Sequence, residues 1–388
     1  MKYDFDKMID RKNTNCYKWD FTKEMFGTDD IIPLWVADTD FAAPEPVVDK
    51  LVERAKHGVY GYSFEPEEYF QVFIDWLDKR FNWKIEKEWI INTTGIVPAI
   101  NFAIQAFTKP DDKILVQTPV YFPFFESIKK NDREVVNSQL KLVGNRYEID
   151  FKDLENKLKA DVKMMLFCSP HNPVGRVWTK SELEKVATLC LDNNVLLISD
   201  EIHSDLILSQ YKHIPTASMN KKIADNIISM YAPSKTFNVA GLSTSTIVIP
   251  NKHIRYKFQK LLEKLGLHLI NVFGIEAFIA AYKDGEEWLE QLLKYIENNY
   301  HYVKSYLEEN IPKISAIEME GTYLMWLDCR KLNLSQNDLV GLFINKAKVG
   351  LNDGKVFGAG GEGFMRLNIG CPRSLLEEAL ERIKNAIT

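Results

Sequence analysis

Val195-Leu196-Leu197-Ile198-Ser199-Asp200-Glu201-Ile202-His203 carries an unbroken apolar run straight into two carboxylates and an imidazole. A strand that is apolar at consecutive positions must be covered on both faces, as a parallel strand between helices is. Four runs of the same kind surround it: Lys113 to Gln117, Val162 to Cys168, Asn226 to Tyr231 and Ser245 to Ile249. Between them lie helical patterns such as Lys180 to Asn193, with Leu183, Val186 and Leu189 at helical spacing. Strand alternating with helix predicts an α/β domain around a mostly parallel sheet, and such sheets bind ligands beyond the carboxyl ends of their strands. The last hundred residues change character. Long amphipathic patterns over Glu286 to Glu309, Gln336 to Ala347 and Ser374 to Ile387 flank short strands at Thr322 to Leu327 and Phe364 to Ile369. They predict a smaller α+β domain completed by the N-terminal arm. The expected division is 41–285 for the large domain, and 1–40 with 286–388 for the small one.

A chain of 388 residues is too long for one ordinary core, which agrees with two domains. Its net charge of -5, without a basic tail or a block of like charges, argues against nucleic acid as a partner. The start, Met1-Lys2-Tyr3-Asp4-Phe5-Asp6, lacks the apolar run of a secretory leader, so a cytoplasmic location is expected. The longest apolar stretch, Leu267 to Tyr282, is broken by His268, Asn271 and Glu276 and reads as a buried helix rather than a membrane span. Five scattered cysteines with no C-x-x-C pair point to reduced thiols, with no disulfide framework and no zinc or other metal site. Cys168, inside Met164-Met165-Leu166-Phe167-Cys168, reads as a packed strand residue rather than a nucleophile.

Several strands end in polar groups, each with an ordinary explanation of its own. Trp89 to Asn92 leads into Thr93-Thr94-Gly95-Ile96-Val97-Pro98 and a helical pattern over Ala99 to Phe107. This is either a plain strand-to-helix turn or a helix N-terminus that holds a phosphate. Asn226 to Tyr231 leads into Ala232-Pro233-Ser234-Lys235, where Lys235 is a snorkelling lysine or an imine-forming amine. Asp200 caps a following helix or faces a cofactor ring nitrogen. Asn172 before Pro173 starts a turn or bonds a ligand. His203 is structural or a cofactor contact, at even weight. Arg366, in Phe364-Met365-Arg366-Leu367-Asn368, has apolar neighbours and is expected to be buried against an anion, with a substrate α-carboxylate the leading one. Together these parts form one machine: an amine for an aldehyde cofactor, a carboxylate for a pyridine nitrogen, a helix start for a phosphate, and Tyr121 to stack on the ring. Gly358-Ala359-Gly360-Gly361-Glu362-Gly363 satisfies G-x-G-x-x-G but runs into a strand, so it is no dinucleotide site and is expected to be a mobile loop beside the active site.

On these residues the chain resembles the class I/II aminotransferase family of PLP fold type I, over nearly its whole length. Within it the resemblance is greatest to the MalY/PatB-type cystathionine β-lyase (C–S lyase) branch. The markers are Pro33-Leu34-Trp35-Val36-Ala37-Asp38-Thr39-Asp40-Phe41, His57-Gly58-Val59-Tyr60-Gly61-Tyr62, Ser169 to Trp178, Ser199 to Asp205, and Ser234-Lys235-Thr236-Phe237-Asn238. The resemblance implies pyridoxal 5′-phosphate (PLP) held covalently on Lys235, with Asp200 at the pyridine nitrogen and Tyr121 over the ring; the chemistry falls to these three. It further implies Asn172 at the ring hydroxyl with His203 nearby, and Gly95, Ile96, Ser234 and Ser243 at the phosphate. Arg366 and Asn172 would orient the substrate carboxylate, beside Ala37. A homodimer would bring Tyr62 to the neighbouring phosphate. Ala232 and Ser243 stand where many aminotransferases carry a phosphate-binding Ser and Arg. The implied reaction is α,β-elimination from cystathionine or other cysteine S-conjugates. The rivals are transamination of amino acids and a mainly regulatory binding role.

Overall fold

The computed structural model describes residues 2–267 and 270–387, so His268 of the apolar stretch lies outside the described residues. Seven strands form the large sheet in the order Ile90–Thr93, Ser245–Val248, Ile227–Tyr231, Leu196–Asp200, Val162–Cys168, Lys113–Val116, Glu134–Asn137. The five strands from Ile227–Tyr231 to Glu134–Asn137 run parallel; Ser245–Val248 is antiparallel to both of its neighbours. The apolar runs thus become the buried strands expected of them, with bounds shifted by a residue or so. The edge strand Glu134–Asn137 was missed, because it opens on an exposed charge and is otherwise only half-buried.

Local chemistry fixes the helices that flank the sheet. Lys180–Asp192 opens on a capping box in which Thr179 and Glu182 satisfy each other's backbone amides. In the apolar stretch, the helix is Val272–Asp284, capped by the Asn271 side chain at the Gly274 amide, 2.7 Å away. It buries Ala277, Phe278 and Ala281, whereas Leu267 stays outside it and is exposed. Among the described residues no helix is long and apolar enough to cross a membrane.

A second, four-stranded sheet takes the order Ser315–Ala316, Leu324–Asp328, Phe364–Asn368, Asn352–Asp353, with antiparallel pairings throughout. Glu286–Asn310 and Arg373–Ile387 are the long helices beside it. The helix expected over Gln336 to Ala347 breaks in two: an α-helix over Gln336–Gly341 and a wider π turn over Leu342–Ala347. From the N-terminal arm, Ile32–Pro33 pairs in parallel with Val349–Gly350, so the chain's two ends are woven together.

Candidate functional site

Strand register brings the polar strand ends to one edge of the large sheet. Cys168 pairs with Asp200 and Asp200 with Met230, so the segments after Cys168, Asp200 and Tyr231 leave side by side, carrying Asn172, His203 and Lys235. The antiparallel pairing of Ser245 with Thr93 places Gly95 and Thr244 at the same edge. One cavity is lined by Ala37, Gly95, Ile96, Tyr121, Asn172, Asp200, His203, Ser234 and Lys235, with Ser243 among its other walls.

Asp200 is buried, and no helix follows it. The chain turns instead, and the Ile202 amide donates to Oδ1 at 3.2 Å. Burial, with one backbone donor to offset it, pushes this carboxyl up to about 7. Lys235, on the short Pro233–Thr236 helix, is no surface lysine: Nζ sits at the cavity wall and donates to the Ala37 carbonyl at 2.6 Å. Burial lowers its pKa, opposed by the charge of Asp38. His203 is neutral, since burial pushes it down to about 3, and its Nδ1 has no hydrogen-bond partner. The Tyr121 hydroxyl is held up at about 12, chiefly by burial and then by Asp200.

Arg366 is buried but does not line the cavity. Its guanidinium donates to Asn172 Oδ1 at 2.9 Å, the Trp35 carbonyl at 2.8 Å and Asn352 Oδ1 at 2.6 Å, and it lies 4.9 Å from the Phe357 ring centroid. Its hydrogen-bond partners are neutral oxygens, and Nε has no partner. The anion expected against it is therefore not a protein carboxylate. Burial lowers its pKa to about 10.

One expectation needs amendment. The Gly95 amide is engaged, donating to Ser245 Oγ at 3.0 Å, so the free amides of the Ile96–Phe107 helix start at Ile96 and Val97. Pro98, third in that helix, has no amide to leave unpaired. Tyr62 is 99% exposed and stands apart from this chain's cavity. The glycine segment 358–363 follows the Gly354–Phe357 turn and enters the Phe364–Asn368 strand, as its context implied. Cys168 is buried as the last strand residue, and its thiol, 3.2 Å from the Pro170 carbonyl, also touches the cavity.

Sequence reasoning missed Val97 and Thr244 on the cavity wall, and Asn352 and Tyr323 around Arg366 and Ala37. The isolated polar residue Tyr323 beside an apolar strand was the one available signal. All five cysteines are free, and no cluster of metal-ligating side chains occurs among the described residues.

A seven-stranded, mostly parallel sheet with a lysine, a carboxylate and an asparagine on adjacent strand ends defines a class of cofactor-dependent enzyme folds. The chain belongs to the class I and II aminotransferase family, whose model matches residues 31–383. It is 43% identical to cystathionine β-lyase PatB of Bacillus subtilis, over 99% of this chain and 100% of that protein. Among solved structures, it superposes on cystalysin of Treponema denticola, which contains a pyridoxal 5′-phosphate cofactor, with a TM-score of 0.96 and 40% identity, covering 100% of this chain and 99% of that one. The PLP-bound C–S lyase of Staphylococcus hominis gives a TM-score of 0.93 at 34% identity, covering 100% and 98%.

Proposed function

We infer that the chain is a PLP-dependent carbon–sulfur β-lyase that cleaves cystathionine, and other cysteine S-conjugates, to a thiol, pyruvate and ammonia. From cystathionine the thiol is homocysteine. The observation that carries the reading is the buried guanidinium of Arg366, bonded to neutral oxygens and linked through Asn172 to the cavity that holds Lys235 and Asp200.

The residues present fit PLP. The His203 Nδ1 is an orphaned buried atom, the Ile96 and Val97 amides head a helix, and the Asp200 carboxyl is penalised by burial until a cation faces it. When bound, PLP supplies an aldehyde that joins an amine and a protonated ring that takes up the electron pair left by a departing α-proton. Lys235 provides the amine. Burial lowers its pKa, so a larger share of it is neutral and able to take the α-proton as general base. Asp200 would keep the pyridine nitrogen protonated, and Tyr121 would cover the ring. Asn172 would meet the ring hydroxyl, with His203 beside it. Ile96, Val97, Ser234, Ser243 and Thr244 receive the phosphate, with Gly95 shaping the approach through its φ of 137°. Arg366 takes the substrate α-carboxylate, its unpartnered Nε among the donors, with Asn172 holding its orientation and Ala37 alongside.

The same reading makes residues 41–285 the cofactor domain, with 1–40 and 286–388 as the smaller one. It also makes the working unit a homodimer in which Tyr62 reaches the neighbouring phosphate. Exposure of Tyr62 at 99% and Phe64 at 78% supports that arrangement. Free cysteines support a cytoplasmic location.

Borohydride reduction in the presence of PLP, followed by peptide mapping, should tag Lys235. Lys235→Ala should lower cystathionine turnover by about 10²–10⁴-fold or more. A tag elsewhere, or pyruvate formed only when a keto acid is added, defeats the lyase reading.

A further inference from the structure

Four successive carbonyls of the N-terminal segment are gripped by side chains from distant parts of the chain. Arg366 donates to Trp35 O at 2.8 Å, and Asn368 Nδ2 donates to Val36 O and Asp38 O at 2.6 Å each. The Ala37 oxygen takes two donors: Lys235 Nζ at 2.6 Å and the Tyr323 hydroxyl at 3.0 Å. Both lone pairs of that oxygen are thus in use. Tyr323 is 0% exposed and is not part of the cavity wall. Its backbone is fixed by the Ile369 amide, 2.9 Å from its carbonyl, and its ring stands edge-on to His203 with centroids 6.1 Å apart.

We propose that Tyr323 is a positioning residue for Lys235: its hydroxyl fixes the Ala37 carbonyl as the dock for the lysine amine whenever that amine is not covalently engaged. The proposal rests on reading Lys235 as the general base. A carbonyl that accepts from the lysine alone would favour the ammonium, which cannot take a proton. A second donor draws on the same oxygen and weakens that preference, while holding the dock in one place. The other charged groups facing Lys235 divide: Asp38 and Asp200 favour the ammonium and Arg366 opposes it, with neutral His203 nearby. Tyr323 tips the balance towards the free amine without touching the substrate.

The test is Tyr323→Phe, which removes only the hydroxyl. One hydrogen bond's worth of positioning lowers kcat about three- to tenfold, with KM for cystathionine changed by less than about twofold because Arg366 and Asn172 are untouched. In protein stripped of cofactor, the pH dependence of Lys235 acetylation by acetic anhydride, read by peptide mass spectrometry, shifts upward by about half to one unit. An unchanged acetylation profile overturns the proposal, whatever the melting temperature does, because the hydroxyl then serves stability alone. If the parent protein fails to cleave cystathionine, the lyase reading falls, yet the acetylation profile still decides the role of Tyr323.

Discussion

Arg176 and Arg366 are both buried, and their surroundings differ in kind. Arg176 donates to Glu320 at 3.1 Å and to both oxygens of Glu182 at 2.9 Å, with the Tyr147 carbonyl as a further acceptor. Glu320 in turn accepts from Arg146 at 2.6 Å and from the Val177 amide at 2.8 Å. That knot is complete, and it ties the loop after the Val162–Cys168 strand to the C-terminal part of the chain. Arg366 has neutral partners only and a spare Nε. Burying a cation without a counter-charge is costly, which supports the proposal that Arg366 is kept for the carboxylate of a substrate. The same contrast recurs in two adjacent carboxylates. Glu201 is surrounded by Ser199 at 2.8 Å, Tyr231 at 2.5 Å, His213 at 2.9 Å and the Thr216 amide at 3.1 Å. Asp200, next in the chain, has one backbone donor and faces the cavity. Arg176 and Glu201 are satisfied within the protein, whereas Arg366 and Asp200 are not.

Methionine replacements would break this contrast most sharply. Arg366→Met should lower kcat/KM by about 10²–10⁴-fold, the worth of two charge-assisted hydrogen bonds to a carboxylate, with little loss of thermal stability. Turnover that survives the change, together with a lower melting temperature, would make Arg366 another structural arginine. Arg176→Met should do the reverse. Leaving Glu320 short of its partner costs about 3–5 kcal/mol of unfolding free energy, measured by denaturant titration, while turnover per folded molecule is unchanged. A catalytic defect without destabilisation would contradict the division.

The Asp200 carboxylate gives an effect that is small per unit of pH and spread over a range. In cofactor-free protein Asp200 titrates near 7, above its value of about 4 in the unfolded chain, so the folded state binds more protons between those limits. Its contribution to stability is therefore full below pH 4 and declines as pH rises through 7, by at most about 1.4 kcal/mol per unit. Asp200→Asn should remove that part of the slope in a pH series of melting curves. An unaltered slope would mean that Asp200 is ionised in the folded protein and already compensated.

Much of the site was legible because its parts lie next to their strands. Asn172, Asp200, His203 and Lys235 each follow an apolar run within a few residues, and parallel neighbours place their carboxyl ends together by geometry. Arg366 was legible as buried, since its neighbours in the Phe364–Asn368 strand are apolar. Its partners were not. The Trp35 carbonyl lies 331 residues away, and the bonds from Lys235 and Tyr323 to Ala37 span 198 and 286. No local pattern encodes which side chain will meet a given backbone oxygen.

The order of apolar and polar residues along the chain thus determined by itself that a parallel sheet would form and that an amine, a carboxylate and an amide would stand at its carboxyl edge. Strand period and turn chemistry act over a handful of residues, so they can be read in one dimension. Only the tertiary structure decided that the Gly95 amide is spent on Ser245, that Arg366 lacks a carboxylate partner, and that Ala37 offers one oxygen to both Lys235 and Tyr323. Those outcomes depend on which donors and acceptors from remote segments reach each other when the two sheets and the N-terminal arm pack together, and packing is a property of the whole chain.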